Sequence, residues 1–226
     1  MKPTRNIAET RTPDGARFSL HEHEGEYSLK LNGSQLMSSG WTVSEVMLAD
    51  VACQFRKRPA APRVLVGGLG LGFSLKRVLE LVGEKAEVWV AELLPEVIEW
   101  NQQFLADLNG ALLGDKRVNV FAGDVYDCIE QSGQAYYDAI LLDVDNGPAA
   151  LVQAGNARLY SQQGLVLICE SLRPDGRVAF WSADPEPGFL RQMRKVGFSA
   201  EEIEAKTHER AKRAANRIYV GERRAT

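Results

Sequence analysis

The hydrophobic pattern of the chain is most regular between residues 63 and 182. We predict strands at residues 63–67, 87–92, 118–122, 137–143 and 176–182, and helices at 72–82, 95–108, 124–131 and 158–173. Strands and helices that alternate in this way are typical of a parallel sheet with helices on both faces. A helix near 186–196 and two strand-like runs, 199–206 and 216–222, follow. Because only a loop separates the last two runs, we predict an antiparallel hairpin at the end of the sheet.

The N-terminal part has a different pattern. Residues 17–31 alternate apolar and polar positions around Glu24-Gly25, which is typical of a β-hairpin that Asn32-Gly33 ends. Thr42 and Glu45 match the S/T-x-x-E capping box ahead of an apolar helix at 43–55. This part is expected to form a small extension beside the large sheet.

Prolines and polar residues mark the boundaries. Residues 1–16 are polar, with Pro3, Pro13 and Gly15, and are expected to form a flexible arm. The prolines within 58–63 predict a domain boundary. The predicted organisation is therefore an arm at 1–16, a hairpin and helix at 17–57, and a large α/β domain at 63–226.

Composition excludes several classes of protein. The chain has 226 residues, of which 45% are hydrophobic and 25% charged, enough for one sizeable core. No apolar run approaches the roughly 18–20 residues of a membrane span, and residues 1–10 lack the apolar centre of a signal peptide, so we expect a cytoplasmic protein with no membrane partner. Three scattered cysteines predict neither disulfides nor a metal site. A net charge of -3 gives no reason to expect a nucleic-acid partner.

The first strand of the large domain leads into a glycine-rich turn, Gly67-Gly68-Leu-Gly70-Leu-Gly72. A strand, a glycine turn and a helix N-terminus together are typical of a nucleotide-binding cradle, because a backbone without side chains lets a ligand approach closely. The dinucleotide fingerprint G-x-G-x-x-G would need glycine where Phe73 stands, which weakens that interpretation. A tight turn without a ligand is the alternative.

Acidic residues end the next two strands. Glu92 is placed to accept hydrogen bonds from ribose hydroxyls, and Asp124, after Gly123, to accept the exocyclic amine of adenine. A helix N-cap is the alternative role for Asp124. With the antiparallel ending, these residues predict an α/β fold with a doubly wound, mostly parallel seven-stranded sheet of the class I methyltransferase type and an adenosine-containing ligand.

Two further carboxylates, Asp143 and Asp145, follow the apolar fourth strand. Such a pair can orient an acceptor amine, accept its proton, or balance the positive charge of a sulfonium. The alternative is an Asp-Asn-Gly-Pro turn whose acids only cap backbone groups.

These residues resemble the spermidine synthase family of polyamine aminopropyltransferases over roughly residues 17–182. The resemblance rests on the following positions: Gln35 after the hairpin, the turn at 67–72, Glu92, Gly123-Asp124, Tyr137-Asp138 leading to Asp143, and Arg158-Leu-Tyr160-Ser161, which is similar to an aromatic pair of the family. It implies that Gln35 and the turn bind the cofactor, that Glu92 binds ribose and Asp124 adenine, that Asp143 is the general base, and that Tyr160 lies near the substrate. It also implies a possible homodimer through the hairpin.

The chain departs from that family in the acids that hold amines. Gly70 stands where the family has an aspartate that pairs with the aminopropyl ammonium. Its D-E-x-x-Y acceptor motif falls on Ser39, Gly40 and Val43, and its second acid after the fourth strand falls on Asn146.

A basic segment near the C-terminus also weakens the prediction of a cationic acceptor. Residues 206–224 carry seven basic and two acidic residues, and Arg210 and Lys212 are expected to overhang the site. We interpret the segment as favouring an anionic or neutral acceptor; a solvated basic turn is the alternative.

The sequence therefore predicts a transferase that binds S-adenosylmethionine, its decarboxylated form or methylthioadenosine, with no metal. Asp143, helped by Asp145, would be the base for in-line displacement at the sulfonium by a small-molecule acceptor. Because the amine-binding acids are missing, methyl transfer is favoured. The alternatives are aminopropyl transfer, a nucleoside-binding module without turnover and, least favoured, a dehydrogenase.

Overall fold

A computed structural model describes residues 3–144, 156–206, 208 and 214–224. The described residues form two sheets, one of four strands and one of seven. The small sheet is antiparallel and contains strands β1 (Arg5–Arg11), β2 (Arg17–His23), β3 (Glu26–Leu31) and β4 (Ser34–Ser38), in that order. The predicted hairpin is confirmed as β2 and β3.

One expectation about this sheet is wrong. The expected flexible arm contains β1, which pairs with β2 along its length and is held to the large domain by a hydrogen bond of 2.8 Å from Thr10 Oγ1 to Glu96. β1 contains few apolar residues, because one face of this edge strand is exposed. Asn32-Gly33 ends the hairpin as predicted, since β3 ends at Leu31; both residues have positive φ, 48° and 85°, and form a tight turn into a further strand, β4.

The large sheet confirms the predicted fold class. It comprises β5 (Arg63–Gly67), β6 (Glu87–Glu92), β7 (Val118–Ala122), β8 (Tyr137–Leu142), β9 (Leu172–Ser182), β10 (Phe198–Ala205) and β11 (Asn216–Arg223). The spatial order is β10-β11-β9-β8-β5-β6-β7, with parallel pairing from β7 to β9 and antiparallel pairing of β11 with both β9 and β10. The C-terminal hairpin thus enters the sheet as predicted.

Helices connect these strands. They are α1 (Val43–Ala52), α2 (Phe73–Leu81), α3 (Pro95–Gln103), α4 (Ala106–Asn109), α5 (Val125–Ser132), α6 (Ala157–Tyr160), α7 (Gln162–Ser171) and α8 (Phe189–Lys195), with a 3-10 turn at Leu112–Gly114. In the described part of the chain no helix has the length and apolar character to span a membrane.

Two predicted helices are divided. The helix expected at 95–108 breaks after α3, where Leu105 begins a new helix. The helix expected at 158–173 divides at Ser161, whose backbone is extended. The Ser161 hydroxyl caps α7 by accepting a hydrogen bond from Gly164 N. β9 begins at Leu172, four residues before the predicted strand.

The predicted capping box at the start of α1 is wrong. The Thr42 side chain makes no capping hydrogen bond. Glu45 does not fold back to the helix terminus; its side chain is buried, and Ser44 Oγ donates a hydrogen bond of 2.8 Å to it. Because the Glu45 carboxylate is buried and hydrogen-bonded to Ser44, it does not cap the helix.

Hydrophobic residues cover both faces of the large sheet. Along β5, Val64 and Val66 belong to the core on one face and Leu65 to the core on the other, as expected when side chains alternate along a buried strand. The first core also includes Phe18, Leu20 and Leu29 of the small sheet. The small sheet therefore packs against the large domain through a shared core.

The ring stack between Phe18 and Trp100 gives this packing a specific test. The two rings are nearly parallel, at 6°, with centroids 6.0 Å apart, and join β2 to α3. Phe18→Ala should lower the free energy of unfolding by about 3 kcal/mol, because it leaves a cavity where the two parts meet. Urea denaturation measures the change. In the control Phe104→Ala the ring is 36% exposed, and the expected loss is below about 1 kcal/mol. Equal losses would contradict this packing.

Candidate functional site

A cavity opens at the carboxyl ends of the parallel strands. β5, β6, β7 and β8 end side by side, and each contributes a residue at its end or in the turn that follows. The described residues that line the cavity are Thr12, Phe18, Leu29, Leu36, Met37, Glu45, Gly68, Gly70, Ala91, Glu92, Leu93, Leu94, Gly123, Asp124, Val125, Asp143, Val144, Asn156 and Trp181. This set contains four acids and no Lys or Arg, so its charges favour a cationic ligand.

Gly68 lets β5 and β8 approach each other at the floor of the cavity. Its φ is +89°, and an ideal Cβ built on it would lie 2.4 Å from the backbone oxygen of Asp143. No other residue type fits at that distance in that conformation. Asp143 N in turn donates a hydrogen bond of 3.0 Å to Gly67 O. The glycine thus fixes where the chain leaves β8 and where the Asp143 side chain starts.

Gly70 lies under the small sheet. An ideal Cβ at this position would lie 2.6 Å from Met37 Sδ and 3.0 Å from its Cε. A side chain at position 70, including the acid expected there in spermidine synthases, would have to displace the Met37 thioether. Asn101 Nδ2 of α3 fixes the turn from the other side by donating a hydrogen bond of 2.8 Å to Gly70 O.

Glu92 is held at the end of β6 by the backbone. Its Oε2 accepts a hydrogen bond of 2.9 Å from Leu69 N in the glycine turn, and its Oε1 accepts one of 3.0 Å from Leu94 N. Burial raises the pKa of Glu92, and these amide hydrogen bonds oppose the shift. The backbone amides of Gly70 and Leu93 contribute to the same effect, and the ribose-binding role of Glu92 stays a prediction.

Asp124 performs the alternative role considered for it and also lines the cavity. Its Oδ1 accepts a hydrogen bond of 2.8 Å from Tyr126 N and so caps α5. Its Oδ2 forms an ion pair of 2.7 Å with Arg158 Nη2, and the same guanidinium contacts Asp127 at 2.8 Å. Tyr126 N and Arg158 therefore orient the Asp124 carboxylate, which also lines the cavity.

Asp143 and Glu45 both line the cavity and are close enough for the charge of Glu45 to act on Asp143. Burial raises the pKa of Glu45. Burial, together with the negative charge of Glu45, raises the pKa of Asp143 to about 8. Like charges held in a poorly solvated place oppose each other's ionisation, so the pair retains a proton near neutral pH. A carboxylate with a raised pKa is a better proton acceptor.

Sequence reasoning missed Glu45 as a site residue, because the S/T-x-x-E pattern explained the acid locally. The signal that marks it is an acid in a helix whose other residues are mostly apolar. Trp181, at the end of β9, was also missed; it lines the cavity, and its buried Nε1 has no hydrogen-bond partner among the described residues. Asn156 lines the cavity as well and donates a hydrogen bond of 3.4 Å to Val144 O.

The structure brings together Gly68, Gly70, Glu92, Asp124 and Asp143. Other predicted residues lie elsewhere. Gln35 is exposed in β4 rather than in a loop, and its neighbours Leu36 and Met37 line the cavity instead. Gly67 ends β5 and Gly72 precedes α2, outside the lining.

Tyr160 packs in the core rather than in the cavity wall. Its ring contacts Phe180 and Phe189, with centroids 5.9 and 5.8 Å away. Asp145, Arg210 and Lys212 lie outside the described residues. Within the described ranges, no group of three or more His, Cys, Asp or Glu is placed to hold a metal ion.

The strand order defines a protein of the class I methyltransferase fold, with an acidic cavity at the carboxyl ends of its parallel strands. Glu92 and Asp124 follow neighbouring parallel strands, and an acid pair lies at the next strand end. In open α/β sheets this edge is where ligands bind.

Two kinds of curated transferase are similar to part of this chain. No protein-family model matches the chain. Over 137 residues the chain is 32% identical to Polyamine aminopropyltransferase 2 of Streptomyces coelicolor, covering 54% of this chain and 24% of that protein. It is 28% identical over 123 residues to a Protein-L-isoaspartate O-methyltransferase of Methanococcus maripaludis, covering 52% and 58%. The chain thus spans about a quarter of the first relative and less than two thirds of the second.

Solved structures show the same likeness in the fold. The spermidine synthase of Thermotoga maritima superposes with a TM-score of 0.74 at 19% identity, covering 98% of this chain and 73% of that chain. A spermidine synthase in complex with the transition state analogue AdoDATO gives 0.73 at 18% identity, covering 96% and 72%. The resemblance to spermidine synthases that the motifs indicated is confirmed, and the chain has their fold.

The raised pKa values of Glu45 and Asp143 predict a dependence of stability on pH. As pH rises through the ordinary carboxyl range, the unfolded chain loses protons that the folded pair retains. The free energy of unfolding therefore falls between the unfolded and folded pKa values, and the full loss persists at higher pH. Glu45→Gln removes one acid and its repulsion of Asp143. At about pH 8 this variant should exceed the wild type in free energy of unfolding by on the order of 2 kcal/mol, and at about pH 4 the two should agree.

Urea denaturation at several pH values measures this difference. Glu130→Gln is the matched control, because Glu130 is an exposed acid in α5, and it should follow the wild type throughout. A Glu45→Gln protein no more stable than the wild type at about pH 8 would show that the two acids do not oppose each other.

Proposed function

We propose that this chain transfers an aminopropyl group from decarboxylated S-adenosylmethionine to the amine of a small-molecule acceptor. The observation that carries the proposal is the Glu45–Asp143 pair at the open edge of a cavity that Glu92 and Asp124 also line. The names of the relatives supply the transferred group, since several are polyamine aminopropyltransferases. They support aminopropyl transfer better than the methyl transfer favoured from the sequence.

Each part of the cavity has a role in this proposal. Glu92 accepts hydrogen bonds from the ribose hydroxyls, and Asp124 accepts the adenine amine beside its contact with Arg158. Gly68 and Gly70 leave room for the ligand to approach the backbone. The surrounding acids stabilise the positive sulfonium before transfer, because the described lining contains no Lys or Arg whose charge would oppose it.

The ionised form of Asp143, which predominates above its pKa of about 8, is the proposed general base. It accepts a proton from the acceptor ammonium, and the freed nitrogen lone pair attacks the aminopropyl carbon bonded to sulfur. A nitrogen–carbon bond forms while the carbon–sulfur bond breaks, and its electron pair stays on sulfur, which leaves as a neutral thioether. Glu45 assists by keeping Asp143 basic. The cavity contributes mainly by holding the two reactants in line.

Methyl transfer is a second candidate, favoured by the contact between Met37 and position 70. Met37 places a thioether, and no carboxylate, against the position where spermidine synthases are expected to have the acid that pairs with the aminopropyl ammonium. Relatives that are isoaspartate methyltransferases also favour this candidate. Roles for Asp145, Gln35, Tyr160, Arg210 and Lys212, and a homodimer, stay predictions.

Mass spectrometry of the product distinguishes the two transfers. The protein is incubated with either S-adenosylmethionine or its decarboxylated form and a panel of primary amines. We expect an aminopropyl adduct and methylthioadenosine from the decarboxylated form only. Asp143→Asn should lower kcat/KM by at least about 100-fold, the range of general base catalysis, while methylthioadenosine still binds. The conservative surface change Glu130→Gln should leave the rate unchanged.

Two results would contradict the proposal. A methyl adduct from S-adenosylmethionine would establish the second candidate. Calorimetric binding of the cofactor without any adduct would favour a nucleoside-binding module.

A further inference from the structure

The cavity is acidic on one side and apolar on the other. Phe18, Leu29, Leu36 and Met37 form the apolar side, and all four belong to the small sheet. The acids come from α1 and from the ends of the large sheet. An acceptor that fills the cavity therefore meets two chemically different surfaces.

The contact at Gly70 makes the apolar side continuous with the glycine turn. The Met37 thioether occupies the position that a side chain at residue 70 would take. A second ammonium on the acceptor, packed against Leu36 and Met37, would lose its hydration without gaining a carboxylate, which weakens binding.

The acids on the other side are unequally available. Both oxygens of Glu92 accept backbone amides, and those of Asp124 are engaged by Tyr126 N and Arg158. Glu45 accepts a hydrogen bond from Ser44 Oγ, and the Asp143 carboxylate beside it has no hydrogen-bond partner among the described residues, so Asp143 remains for an acceptor. The two acids lie on the side of the cavity opposite Leu36 and Met37, so a single ammonium placed at the pair leaves the rest of the acceptor against apolar side chains.

We propose that the acceptor is a primary monoamine with an apolar chain, whose nitrogen lies at the Glu45–Asp143 pair and whose chain packs on Leu36 and Met37. This inference rests on the proposed function in taking an amine as the acceptor, and it holds for either transferred group. It sets this chain apart from an enzyme for diamines, which carry a charge at both ends.

Calorimetry tests the inference without turnover. Butylamine and 1,4-diaminobutane have the same carbon chain and differ in the second amine. With the protein saturated with methylthioadenosine, butylamine should bind at least about tenfold more tightly. Equal or tighter binding of the diamine would overturn the inference, and so would failure of both amines to bind.

Substitution of Met37 locates the preference. Met37→Glu places a carboxylate on the apolar side and should shift the ratio of the two affinities by about tenfold towards the diamine. Met37→Leu keeps the surface apolar and should keep the monoamine preference. Val166→Glu adds the same charge at an exposed position of α7 and should change nothing. If Met37→Glu proves unstable on heating, the wild-type ratio and Met37→Leu still decide.

Binding and turnover fail separately in this design. Tight binding of butylamine without an adduct would refute the proposed function and leave the inference intact. Faster turnover of 1,4-diaminobutane than of butylamine would refute the inference and support the proposed function. A Met37→Glu protein with the same ratio of the two affinities as the wild type would also refute it, because the apolar surface would then not set the choice.

Discussion

The close approach of two parallel strands at Gly68 is the constraint on which the site depends. Only a residue without a side chain allows the backbone after β5 to lie against the backbone of Asp143. That approach puts the glycine turn, the end of β6 and the end of β8 around one cavity. Leu69 N, in the same turn, donates to Glu92, so the turn also positions the carboxylate of the neighbouring strand. The acids at the ends of these strands therefore line one cavity.

The small sheet completes the cavity and gives it chemical character. It is attached through Phe18 on Trp100 and through β1, and its residues supply the apolar side. The large sheet alone would present acids to solvent, where they would ionise normally and bind cations weakly. Covering them raises the pKa values of Glu45 and Asp143 and lowers stability, a cost typical of sites that hold a proton acceptor ready.

The sequence predicted the sheet well, because buried parallel strands are nearly continuous apolar runs. β5, β6 and β7 begin and end at the predicted residues, and the C-terminal hairpin pairs as expected. The misses have local causes. Glu45 satisfied a capping pattern that the structure does not use, and β1 is an edge strand with little apolar signal.

Part of the site depended on contacts between distant residues, which spacing alone does not reveal. The absence of an acid at Gly70 was visible in the sequence, but its replacement by Met37 was not, because the two residues meet only when the small sheet packs. Arg158 was likewise read with Tyr160 as part of a motif, whereas it pairs with Asp124 and Tyr160 joins the core. Methyl transfer was inferred from missing acids, and relatives support the aminopropyl alternative better.

The central claim is that this acidic edge binds an adenosyl ligand with its sulfur facing Asp143. A crystal structure with methylthioadenosine tests it most directly. The account predicts ribose hydroxyls within hydrogen-bond distance of Glu92, adenine beside Asp124, and the thioether between Gly70 and the Glu45–Asp143 pair. Methylthioadenosine bound elsewhere, or in this cavity with its sulfur turned away from Asp143, would contradict it.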